Sequence, residues 1–168
     1  MTLLALLHVT CLALMAALLI GAGAQDLRSM QIANGFSLAI ASLFVVWAAV
    51  GLAGGQMSLE GVALSLACGT VVFGVGAAAF AIGTLGGGDV KLLAAVSLFA
   101  GPQRVSSFLI ITAIAGGLLG LAILAGAPIG RPATAGGGPL RERLRGGLPY
   151  GPAIAAGGLW VAASLGLN

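Results

Sequence analysis

Six apolar stretches alternate with short polar ones, and this alternation organises the chain. Leu3–Ala24 holds only His8 and Thr10 as polar side chains. Phe36–Ala53, Gly61–Thr84, Val105–Ala127 and Tyr150–Leu167 repeat the pattern. Runs of this length match a hydrocarbon core about 30 Å thick, crossed at about 1.5 Å per residue. Val90–Ala100 is apolar but shorter, which suits a tilted or partly buried helix. Between the stretches lie a polar segment, Gln25–Asn34, and turns at Gly54–Glu60 and Gly101–Arg104, the latter punctuated by glycine and proline. The pattern predicts an all-α fold: a polytopic membrane helical bundle of about six transmembrane helices, forming one integral membrane domain over residues 1–168.

Composition excludes the main alternative. The 168 residues are 60% hydrophobic and 7% charged, and the mean hydropathy is +1.15. Such a chain is not a water-soluble globule. Its 29 glycines suit close helix–helix approach in lipid. A pI near 9.5 is compatible with nucleic-acid binding, but the basic residues are few and sit between apolar runs. Topology explains them better, so the lipid bilayer is the expected partner and nucleic acid is not.

Charge also orients the chain. With the N-terminus outside, Arg28, Lys91, Arg131, Arg141, Arg143 and Arg145 fall on the cytoplasmic side and only Arg104 falls outside. Ala22-Gly23-Ala24 resembles the end of a cleavable signal peptide. No basic residue precedes the apolar run, however, and Arg28 follows it, which favours a retained helix. Pro128–Leu148, rich in Gly, Pro and Arg, reads as a flexible cytoplasmic loop with one helical turn around Leu140–Leu144. Its arginines Arg131 to Arg145 can meet anionic headgroups. Cys11 and Cys68 lie inside apolar runs without CxxC spacing and read as packed thiols. No metal or other cofactor is expected.

The acidic residues are only Asp26, Glu60, Asp89 and Glu142. Glu60 reads as a charge at a helix N-terminus. Asp89 follows three glycines in Gly86-Gly87-Gly88-Asp89-Val90-Lys91, and the topology places Asp26 on the same face. Carboxylates beside a bilayer are costly to keep and point to function. Two of them held close share one proton. The ionised member can then activate water against a peptide carbonyl, while the protonated member donates to the carbonyl oxygen and later to the leaving amine. The residues alone leave a second reading open. In that reading the chain is a non-enzymatic transporter or a pilus or secretion assembly subunit, with both aspartates lining an ion path.

The motifs resemble a known family. Gly86-Gly87-Gly88-Asp89 matches the GxGD motif of intramembrane aspartyl proteases, and with Val90-Lys91-Leu92 it resembles the GxGDVKL form of type IV prepilin peptidases. Asp26-Leu27-Arg28 followed by Ile32-Ala33-Asn34 is similar to that family's first-aspartate segment, with Ala33 where proline is usual. Pro149-Tyr150-Gly151-Pro152-Ala153 resembles its proline-glycine motif before the last helix. The resemblance implies a prepilin leader peptidase, an aspartyl protease in the bacterial inner membrane with its active site facing the cytoplasm. Asp26 and Asp89 would be the catalytic pair, and Gly86 and Gly88 would shape the backbone around Asp89. Lys91 would bias Asp89 toward its ionised form or anchor the helix at the inner face. The implied substrate is a prepilin or pseudopilin, with pilus assembly machinery as a further partner. Without the CxxC-bearing domain of larger members, the chain is similar to the small form of Flp or tight-adherence systems, which carries no methyltransferase activity.

Overall fold

In the computed structural model, residues 3–127 and 149–167 are described. Among them the chain forms five helices and no strand: α1 (Leu3–Ser29), α2 (Asn34–Ala53), α3 (Leu59–Ala81), α4 (Gly87–Leu124) and α5 (Gly151–Gly166). The first four are long and apolar enough to cross a membrane, while α5 is shorter. The all-α helical bundle expected from the sequence is what forms, and it is that of an integral membrane protein.

Six separate helices are not what the described residues show. Val90–Ala100 and Val105–Ala127 are joined within α4, which breaks at Gly101 (φ 57°, ψ −173°) immediately before Pro102. Backbone in that region is open essentially to glycine alone. The packing shows that the chain doubles back there. Val96, before the break, and Leu19 of α1 meet Gly158 of α5. After it, Phe108 and Thr112 meet Gly157, and Tyr150 and Ala153 meet Gly116. The first arm of α4 therefore runs parallel to α5 and the second runs antiparallel to it. The expected turn at Gly101–Arg104 exists, compressed into a single non-helical residue.

The polar segment Gln25–Asn34 also departs from expectation. The first apolar run ends at Ala24, but α1 continues through this segment to Ser29. No glycine or proline interrupts Gln25–Ser29, and the Ser29 hydroxyl donates back to the Gln25 carbonyl at 2.9 Å. Met30, at φ 55°, ends the helix. Likewise α3 stops at Ala81 rather than Thr84, where Gly83 takes φ 74°. At its start, the Ser58 hydroxyl accepts from the Gly61 N–H at 3.0 Å, and Glu60 occupies the first turn as expected.

The core lies where α1, α2, α5 and the first arm of α4 meet. Met15, Leu19, Ile40, Leu92 and Val96 are fully buried in it. Phe44, Trp47 and Phe99 pack as an aromatic cluster, with the His8 ring edge-on to Trp47 at 5.6 Å. Because α1 supplies Met15 and Leu19, it is an integral element of the bundle. Large apolar side chains such as Val45, Val71, Val75 and Leu118 point outward, as lipid-facing positions do. Pro128–Leu148, including the arginine cluster and the turn expected at Leu140–Leu144, lies outside the described residues.

Candidate active site

Asp26 sits in the last turn of α1 and is only 4% exposed. Its neighbourhood is made by the start of α5, where Pro152 occupies the first turn. The Gly151 N–H donates to Asp26 Oδ2 at 2.7 Å. A Cβ on Gly151 would lie 2.6 Å from Asp26 Cβ and 2.9 Å from its Oδ2, so only glycine lets the helix start approach this closely. A buried carboxylate is tolerable when a hydrogen bond and a helix N-terminus face it.

Asp89 is the third residue of α4, and it is buried, with 9% exposed. The span expected to begin at Val90 thus begins earlier, and the glycine motif is the helix start itself. The Gly86 N–H donates to Asp89 Oδ2 at 3.2 Å, the half of a capping box that a glycine N-cap can make. A Cβ on Gly86 would lie 2.7 Å from that oxygen. On Gly88 it would lie 3.0 Å from the Ile32 carbonyl oxygen and 3.1 Å from Ile32 Cβ. These two glycines therefore let α4 begin tight against the α1–α2 connection, with the Asp89 carboxyl folded back over its own backbone.

The fold brings the two aspartates to one end of the bundle, close enough that the Asp26 charge acts on Asp89. They come from α1 and α4, and each carboxyl group accepts one backbone N–H. Lys91 follows two residues after Asp89 in α4. It is exposed, and its Nζ donates to Asn34 Oδ1 at 2.8 Å, which ties the first turn of α4 to the first residue of α2. Ala33 takes φ −65°, ψ 137°, the φ that proline would fix. Its N–H donates to Gln25 Oε1 at 3.1 Å, a bond that proline has no hydrogen to make.

Sequence reasoning missed the roles of Gly151, Asn34 and Gln25. The Gly151 signal was present, a glycine between two prolines at the mouth of the last helix, but its partner lies far away in sequence. Among the described residues no group of three His, Cys, Asp or Glu side chains is arranged to hold a metal ion. Cys11 and Cys68 are free thiols.

This arrangement of membrane helices with a carboxyl pair at one end suits a hydrolase acting beside the bilayer. The family model for the type IV leader peptidase family matches residues 12–121, a stretch that includes both aspartates. The chain belongs to that family and is a leader peptidase-like protease whose substrates are, in general, pilin precursors. No curated protein and no solved structure matches it.

Proposed function

We propose that the protein is an aspartyl endopeptidase that hydrolyses the peptide bond between leader and mature pilin at the cytoplasmic face of the bacterial inner membrane. Asp26 and Asp89 are its catalytic pair. One observation carries this reading: two buried carboxyl groups, brought by separate helices to the same end of an otherwise apolar bundle, each held by a backbone N–H. A bundle that needed charge only for topology would leave those groups in water, as it leaves Arg28 and Lys91.

In this mechanism the pair shares one proton. The ionised carboxylate takes a proton from water as the oxygen attacks the scissile carbonyl. The protonated carboxyl group donates to the developing oxyanion and then delivers its proton to the leaving amine. The Gly151 N–H at 2.7 Å is the shorter of the two backbone bonds and favours Asp26 as the ionised member, since charge-assisted bonds are the short ones. The glycines at Gly86 and Gly151 let their backbone N–H groups reach the carboxyl groups, which a side chain at either position would push away. The protein's substrate is a Flp-type prepilin.

The test is co-expression with a Flp-type prepilin, following the leader by gel shift. Wild type is expected to cleave. Asp26→Asn and Asp89→Asn are each expected to lose about 10²–10⁴-fold in rate while inserting normally. Cleavage by either variant at the wild-type rate removes that aspartate from the mechanism.

A further inference from the structure

The opposite end of the bundle carries a cavity that peptide hydrolysis does not use. Its volume is about 310 Å³, at the lower end of the roughly 300–1,000 Å³ typical of small-molecule sites. It opens where the α2–α3 connection, the break in α4 and the end of α5 meet. Among the described residues its lining carries one charged side chain, Arg104, and no carboxylate. Gln56, Ser58, Ser65 and Gln103 add hydroxyl and amide donors. Ser65 is 4% exposed, so packing holds its hydroxyl in place.

Aromatic rings form the wall behind these donors. Trp47 packs 5.5 Å from Phe99 and 6.1 Å from Phe44, and its buried indole N–H has no acceptor among the described residues. An orphaned buried donor calls for a partner. Two helix starts also converge here, that of α3 at Ser58 and that of the second arm of α4 just past Gly101. Their dipoles add positive potential to the guanidinium. Glu60, the acidic residue in the first turn of α3, is exposed and does not line the cavity.

We propose that this cavity binds a phosphate group, with Arg104 as principal ligand and Gln103, Ser58 and Ser65 completing the donor set. The planar guanidinium matches two phosphate oxygens at once. Carboxylate-free lining, hydroxyl donors and two helix N-termini all favour an anion over a neutral polar ligand. Two sources supply this chemistry. One is the headgroup of an anionic phospholipid, whose chains would lie along exposed apolar residues such as Val46 and Leu59. The other is free phosphate. An occupant would also brace the break in α4, because Gly101 and Pro102 form part of the lining.

The test uses the full chain in detergent. Native mass spectrometry follows phosphatidylglycerol against phosphatidylcholine, and calorimetry follows inorganic phosphate. Preferential phosphatidylglycerol binding is expected, weakened at least about tenfold by Arg104→Gln and partly restored by Arg104→Lys. Phosphatidylglycerol binding without inorganic phosphate binding assigns the site to the headgroup. Arg104-dependent binding of inorganic phosphate assigns it to the ion. If Arg104→Gln does not fold, Ser65→Ala carries the test, with binding expected to weaken roughly three- to tenfold. The proposal is overturned if folded wild type binds neither probe, or if the variant tested binds as wild type does.

Discussion

At Gly151 one methyl group decides whether Asp26 keeps its backbone bond. Gly151→Ala would drive a Cβ into the Asp26 side chain and shift the carboxyl group by a fraction of an ångström. The expected result is about a 10–100-fold loss in kcat/KM with the helices intact by circular dichroism. Gly35→Ala is the matched control. It sits in α2 with nothing within 4 Å of a Cβ, so cleavage should be unchanged and stability equal or higher by up to about 1 kcal/mol. Lys91→Met separates the two expectations for that residue. Because Lys91 bonds Asn34, the variant should lose about 1 kcal/mol of stability and no more than a few-fold in activity. A loss as large as that of Asp89→Asn would mean that the ammonium acts on the carboxyl pair. The pair itself should give a bell-shaped pH profile of kcat/KM. Activity falls at low pH, where both carboxyl groups are protonated and none can accept a proton. It falls again at high pH, where both are ionised and none can donate.

At the scale of elements, hydropathy located the helices well and their ends poorly. Apolar runs mark the spans because lipid demands internally satisfied backbone and apolar side chains. The ends depend on short-range bonds that hydropathy does not report, such as the Ser29 hydroxyl extending α1 past Gln25. Asp26 therefore stands on a helix, beyond the end of the apolar run that marks it. The break in α4 rests on one residue. Gly101→Ala would impose a Cβ at φ 57°, 3.2 Å from Ser65 Oγ. Destabilisation of about 1–3 kcal/mol is expected, read as a lower thermal midpoint in detergent. An unchanged midpoint would mean that the reversal does not depend on glycine there.

For the whole molecule, α5 is the keystone of the packing, and its glycines make that possible. Gly157 and Gly158 lie against Phe108, Thr112, Leu19 and Val96 from three directions. A side chain at Gly158 would meet Leu19 Cδ1 at 2.6 Å. Gly158→Leu is therefore expected to destabilise by about 1–3 kcal/mol or more through overpacking. It should also lower cleavage, because α5 carries the Gly151 N–H that holds Asp26. The proposed orientation is checked by cysteine accessibility in a variant lacking Cys11 and Cys68. Arg28→Cys should react with an impermeant maleimide only from the cytoplasmic side, and Gln103→Cys only from outside. The reverse labelling would overturn the cytoplasmic placement of the aspartates.

Sequence by itself determined the class of molecule, the positions of the apolar helices, the reversal near Gly101-Pro102 and the identity of the two carboxylates worth attention. Those features are local: runs of apolar residues, glycine and proline punctuation, and acids too few to be incidental. Tertiary structure alone decided what surrounds the acids. Gly151 faces Asp26, Lys91 reaches Asn34, and Gly88 fits against Ile32. Each pair joins residues far apart in the chain. Contacts of that kind are set by how the helices dock, and docking in lipid is governed by close fits between small residues that hydropathy cannot rank.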